Sequence, residues 1–192
     1  MAKEALEIIK AEHRSVAAVL EAAKYLVTEI RVGRLKPDFR LFWAMLAYIE
    51  QFPEGLHHPK EDDYLFARLR ERTHEGDALL ANLETQHQGG PERVRALQLA
   101  LRHYEADPDG AFEEFALAVE TFAQFNWHHM AIEENELMPL AERHLLDADW
   151  QEITQAFRDN NDPMFGADRG EHFRALFRKI VNMAPPPLGL GG

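Results

Sequence analysis

Four long stretches of this 192-residue sequence space their apolar side chains in alternating steps of three and four, and each stretch breaks that pattern with a histidine or glutamate. In the first, Leu6, Ile9, His13, Val16, Leu20, Ala23, Val27 and Ile30 make one continuous seam. Such a seam belongs to the buried face of a helix, so His13 is aimed at a core. The same rhythm gives Leu80, Leu83, His87, Gly90, Val94, Leu97, Leu101 and Tyr104 in the third stretch. In the fourth it gives Phe112, Phe115, Val119, Phe122, Asn126, His129, Glu133 and Leu140. The second carries Phe42, Met45, Leu46, Ile49 and Phe52, then His57 and Glu61. Imidazole and carboxylate directed inward need a partner there, because an isolated buried charge is costly.

Punctuation between these stretches sets helix boundaries. Gly33 reads as a stop, and Pro37 with Asp38 as a new start. The second helix then runs from about Asp38 to Arg72, kinked where Pro53 and Pro59 remove backbone donors beside the histidines. Thr73 reads as the N-cap of the third helix, bent at Gly89, Gly90 and Pro91, and a turn through Asp107, Pro108, Asp109 and Gly110 opens the fourth. From Leu146 two shorter helices are expected. Asp147 caps one through Trp150 and Phe157, Asp168 caps the other through Phe173, Leu176, Phe177 and Ile180, and Asn160 to Pro163 separates them. The predicted fold class is all-α, an up-and-down four-helix bundle with two additional C-terminal helices. Its boundaries are 1–145 for the bundle with a metal site, 146–184 for a helical extension packed on it, and 185–192 for a Pro/Gly-rich flexible tail.

The chain repeats itself. His57-x-x-x-Glu61-Asp62-x-x-Leu65-Phe66 returns 72 residues later as His129-x-x-x-Glu133-Glu134-x-x-Leu137-Met138. Ile9-x-x-Glu12-His13 likewise returns as Leu83-x-x-Gln86-His87, 74 residues on. Neighbouring helices of an up-and-down bundle are antiparallel, so residues equally far from a shared turn lie at one height. His13 stands about 18 residues before Arg31 and His57 about 19 after Asp38, which at roughly 1.5 Å per residue agree within a few Å. The same count brings His87, His129 and Glu133 to that level. Six side chains, His13, His57, Glu61, His87, His129 and Glu133, are therefore expected in one layer.

Histidine and glutamate four apart on a helix share a face, so each H-x-x-x-E offers one nitrogen and one oxygen to the same place. The sequence has no cysteine, which excludes disulfides, thiolate metal sites and iron–sulfur clusters and leaves nitrogen and oxygen donors. Four imidazoles and two carboxylates are too many for one tetrahedral zinc. They suit two six-coordinate metals, each taking two histidines, with both glutamates bridging. The neighbours His58, Asp62, His128 and Glu134 lie about 100° round their helices and read as surrounding polar groups or the mouth of a channel. A one-residue shift of register would bring His58 and Asp62 into the ligand set. His74, His103, His144 and His172 fall off the layer. Phe42, Phe52, Phe66, Phe122, Phe125 and Trp127 are expected as core beside it, shielding a reactive metal.

This combination, a histidine on helix one, H-x-x-x-E on helix two, a histidine on helix three and H-x-x-x-E on helix four, resembles the hemerythrin-like, or HHE cation-binding, family over about Ala2 to Leu145. The resemblance implies a non-haem di-iron centre of two Fe ions with an oxo or hydroxo bridge, held by those six residues and reactive toward dioxygen, peroxide or nitric oxide. Manganese and zinc are admitted by the same donors. Respiratory hemerythrins carry a further histidine one turn away on helix three, where this chain has Leu83 and Pro91. Simple reversible oxygen carriage is therefore not expected.

A formal charge of −12 opposes binding to nucleic acid or to an anionic membrane surface. The charged, amphipathic start of the chain is no signal sequence, and no apolar run reaches membrane-span length, so a cytoplasmic location is expected. No Ser-His-Asp constellation or phosphate-cradling glycine loop is present, and no catalytic residue stands out beyond the metal layer. Two functions fit: a di-iron sensor, scavenger or stress protein for a small diatomic or peroxide ligand, or a non-catalytic iron buffer or metal-stabilised interaction module. The C-terminal helices would then serve as a cap, a partner site or a homodimer face. Whether the protein is an enzyme is left open at this level.

Overall fold

The computed structural model describes residues 2–158, which contain helix and no strand. Helix α1 (Ala2–Arg31) ends where Gly33 adopts a left-handed backbone, φ 75°, with its N–H on the Ile30 carbonyl at 2.9 Å. That conformation suits glycine because no Cβ opposes it. Asp38 then caps α2 (Phe39–Gln51) by accepting from the N–H groups of Arg40 and Leu41 at 3.0 and 3.2 Å. Stop and start both match the sequence expectation.

The second rod is where the expected kink takes another form. Between α2 and α4 (Ala67–Arg72) the chain stays helical but widens into two π segments, π1 (Pro53–His57) and π2 (Glu61–Phe66), separated by the short α3 (His58–Lys60). Pro53 has no N–H to give and its ring crowds the preceding turn, so the helix relaxes. His57 N–H reaches back five residues to Phe52 O at 3.0 Å. A third segment, π3 (Glu133–Leu137), interrupts the fourth rod between α7 (Phe112–Ile132) and α8 (Met138–His144). Both Glu61 and Glu133 open a π segment, so the internal repeat extends to backbone geometry.

Thr73 does not start the third rod. It closes α4 in an extended conformation and accepts from Glu75 N–H at 3.1 Å, a turn that postpones the helix to α5 (Asp77–Gln88). After Gly89 alone, α6 (Gly90–Ala106) follows, and the periodic residues on both sides, Leu83, His87, Gly90 and Val94, stay buried. Helix α9 (Asp147–Arg158) follows; the second C-terminal helix, the Asn160–Pro163 separator and the tail of the sequence reading lie outside the described residues.

α1 packs on α7, α7 on α6, α6 on α2 and α2 on α1, so four rods close a ring, with α9 laid along α1 and against π2. Apolar side chains collect in two clusters at opposite ends of this ring. One holds Val16, Leu20, Met45, Phe52, Leu97, Phe115 and Phe122; the other holds Ile9, Leu65, Phe66, Leu83, Leu137, Trp150 and Phe157. Burying each such side chain contributes about 1.5–3 kcal/mol. Between the clusters lies a polar layer that two well-packed ends hold in place.

Candidate metal centre

All six residues expected in that layer are there and buried: His13, His57, Glu61, His87, His129 and Glu133. Glu61 and Glu133 are fully inaccessible, and each touches both halves of the ring. Glu61 Oε1 lies 3.4 Å from His57 Nε2 and 3.8 Å from His13 Nε2, while its Oε2 is 3.7 Å from His87 Nε2. Glu133 Oε1 is 3.2 Å from His129 Nε2 and 3.6 Å from His87 Nε2, and its Oε2 is 3.4 Å from His13 Nε2. The Nε2 atoms thus face inward around two carboxylates placed between two pairs of imidazoles.

What turns the imidazoles this way is a second ring, on their Nδ1 side. His13 donates to Glu134 at 2.9 Å, His57 to Glu12 at 2.6 Å, His87 to Asp62 at 2.8 Å and His129 to Gln86 Oε1 at 3.0 Å. Each acceptor is the chain neighbour of an inward residue: Glu12 precedes His13, Gln86 precedes His87, Asp62 follows Glu61 and Glu134 follows Glu133. A helix therefore supplies an inward group and, one residue away, the acceptor that aims a partner's ring. The sequence reading left Asp62 and Glu134 beside the site and gave Glu12 and Gln86 no part in it. The signal was their matching place in the repeat.

The sixfold layer does not account for one residue. His58 is buried, its ring stacked on His87 at 4.4 Å between centroids and edge-on to His129 at 5.3 Å. Ligand atoms of His58, Glu61, His87 and His129 fall within 4.8 Å of one another, as do those of His13, His57 and Glu61. His128 is exposed, and so are His74 and His103, while His144 bonds Glu75 at the surface; His172 lies outside the described residues.

Without a cation the chamber is short of positive charge. All four oxygens of Glu61 and Glu133, and His13 Nε2, are buried with no hydrogen-bond partner. Burial alone would depress His13, but Glu134, Glu61 and Glu133 carry it up to about 10. Burial works against His87 too, and there Asp62, Glu133 and Glu61 prevail, again to about 10. His57 is raised against its burial by Glu61 and Glu12. Glu133, which burial would raise, is held well below the usual carboxylate range by His129, His87 and His13. His87 Nε2 and His129 Nε2 lie 3.1 Å apart, within hydrogen-bond distance of each other. The inward nitrogens and the orphaned oxygens together supply the donors that a divalent or trivalent cation requires. The residues fit a two-metal site.

Aromatic rings enclose the chamber. Phe52, Phe66, Phe125 and Phe157 lie 6.4, 5.5, 6.3 and 5.9 Å from His57, His87, His129 and His57 respectively, measured between centroids. Phe157 was not among the aromatics expected here. Comparison with curated proteins and with solved structures finds no match, whereas the family model of the Hemerythrin HHE cation binding domain matches residues 4–141.

Proposed function

The chain belongs to the hemerythrin HHE cation-binding family, and from that premise we propose that it is a non-haem di-iron protein that responds to or reacts with dioxygen, peroxide or nitric oxide, as a sensor, scavenger or stress protein. His13 and His57 would hold one iron, His87 and His129 the other, and Glu61 and Glu133 would bridge them within a hemerythrin-like four-helix bundle over 1–145. In the proposal α9 covers this bundle; the remainder of the 146–184 extension and the 185–192 tail of the sequence expectation lie outside the described residues. The observation that carries the reading is the set of four buried, unbonded carboxylate oxygens ringed by imidazole nitrogens. Two buried carboxylates facing these imidazoles are costly in a protein interior unless they are paired, protonated or metal-bound.

When bound, a reduced iron pair supplies electrons and an open position to a small ligand. The chain's own residues do the rest. Glu12, Asp62, Gln86 and Glu134 hold each ring's Nδ1 proton, which fixes the tautomer and leaves Nε2 as the donor atom. In the proposal the phenylalanines packed against His57, His87 and His129 limit bulk water at the centre. The charge of −12 disfavours nucleic acid, and no helix among the described residues is long and apolar enough to cross a membrane, both in keeping with a cytoplasmic role.

The test is anaerobic loading with Fe²⁺, metal analysis, and rapid-mixing optical spectroscopy against dioxygen, hydrogen peroxide and nitric oxide. We expect about two irons per chain and a spectral response to at least one of the three. A loaded protein inert to all three overturns the responsive reading in favour of iron buffering.

A further inference from the structure

We propose that His58 is a fifth imidazole donor, to the metal held by His87 and His129, and that the two metal positions are consequently unequal. The inference rests on the two-metal reading above. His58 is 8% exposed, its Nδ1 has no hydrogen-bond partner, and its ring lies against both His87 and His129. A ligand atom of His58 joins those of Glu61, His87 and His129 within 4.8 Å, the span of a single coordination sphere.

The local backbone explains why two consecutive residues serve one chamber. His57 closes π1 and His58 opens α3, with Pro59 next, and the two imidazole centroids stand 5.6 Å apart. His57 turns toward His13, and His58 toward His87. A carboxylate also stands on the Nδ1 side of His58, farther off and without the hydrogen bond that the other rings have: Glu54 Oε2 is 3.4 Å from His58 Nδ1. A Cβ at position 90 would collide with the Glu54 carboxyl, so Gly90 is the residue that admits this partner.

The internal repeat supplies an independent argument. Every inward residue has a counterpart of the same type 72 or 74 positions away, His57 with His129, Glu61 with Glu133, His13 with His87. Shifted by 72, His58 falls on Met130. Met130 is buried and lines, with His13, Ala17, Trp127 and Glu134, a cleft of about 260 Å³ on the α1/α7 side. One half therefore places an imidazole where the other places a thioether beside open space. A thioether is a poor donor to a hard cation held by oxygen and nitrogen, so the position near His13 and His57 keeps two imidazoles while its mate has three.

Metal-free protein titrated with Co²⁺ tests this, with calorimetry reading affinity and visible absorption reading coordination. The unaltered chain should bind two Co²⁺ in two resolved steps. In His58→Met and His58→Gln the tighter step should weaken by at least about 10- to 100-fold, the loss seen when even an outer partner of a ligand is removed. The weaker step and the cobalt spectrum belonging to it should be unchanged. Circular dichroism of the metal-free variants checks that both fold, and either one suffices. If both variants keep the two-step isotherm of the unaltered chain, His58 is no ligand and the inference falls. If the unaltered chain binds no Co²⁺ and no Fe²⁺, it is the two-metal reading itself that fails.

Discussion

The ring of Phe157 meets the His57 imidazole edge-on, 5.9 Å between centroids, so α9 forms part of the wall of the metal chamber. Phe157 is buried, and Lys60, three residues beyond His57, donates to the Ala156 carbonyl at 2.7 Å. The helix is thus tied to the segment that carries His57 and Glu61, although it lies beyond the residues matched by the family. Phe157→Ala should destabilise the fold by about 3–5 kcal/mol, the usual loss for a buried aromatic truncated to alanine. It should also hasten removal of metal by a chelator. Urea unfolding and a timed extraction measure the two effects; unchanged extraction would separate α9 from the centre.

A second anchor for α9 is the two-pronged pair of Arg72 with Asp149, 2.8 and 2.7 Å, in which Asp149 is buried and also accepts from Leu146 N–H. Arg72→Ala leaves that carboxylate only the Leu146 N–H and weakens the fold at neutral pH. Arg72 holds the Asp149 carboxyl below its ordinary range, so the stabilisation is present above that range and disappears as pH falls through the lowered folded value. Unfolding curves of the variant and the parent should therefore differ at pH 7 and converge in acid.

Glu61 belongs to both ligand groups, whereas His13 belongs to one. Glu61→Ala should therefore abolish binding at both positions, and His13→Ala should spare the position of His87 and His129. Metal analysis after iron loading reads about zero for the first and about one for the second if two ions normally bind. Equal losses in the two variants would contradict the shared-carboxylate arrangement.

In the metal-free chain His13 and His87 both titrate near 10, raised from 6.5. A histidine raised on folding stabilises the native state fully below its unfolded value and loses that contribution as pH rises through its folded value. Metal-free protein should accordingly weaken between about pH 6.5 and about pH 10. Binding requires neutral imidazoles, so metal displaces these protons and apparent affinity climbs with pH over the same window. Zinc calorimetry at pH 8 in two buffers of different ionisation enthalpy should show net proton release; its absence would contradict the charged, metal-free chamber.

The apolar rhythm made the layer legible because a helix of regular pitch maps sequence steps onto faces. His13, Val16 and Leu20 fall on one stripe in sequence and in space. Gly33 and Asp38 were legible because one backbone angle and one capping oxygen are local properties. His58 was not. Counted at regular α-helical pitch it sits about 100° from His57 and off the site, but π1 and π2 change that count, and prolines announce a disturbance without saying whether the rod bends or widens. Thr73 misled for a related reason: its hydroxyl serves Glu75 N–H in a turn, a task that looks the same in sequence as capping a helix. Glu12 and Gln86 escaped notice because their value depends on which ring stands across the bundle, and that is a tertiary fact.

The three π segments carry a further implication, one of length and not of side-chain type. Each accommodates surplus chain that regular winding would not take up. Deleting a single residue from 61–66 would let the helix tighten to regular winding: Ala67 onward would keep roughly its facing, so buried Leu69 would stay inside, while the side chains within the segment would be re-aimed. The surplus therefore serves the side chains inside the stretch, Glu61 first among them, and not the packing of the helix beyond it.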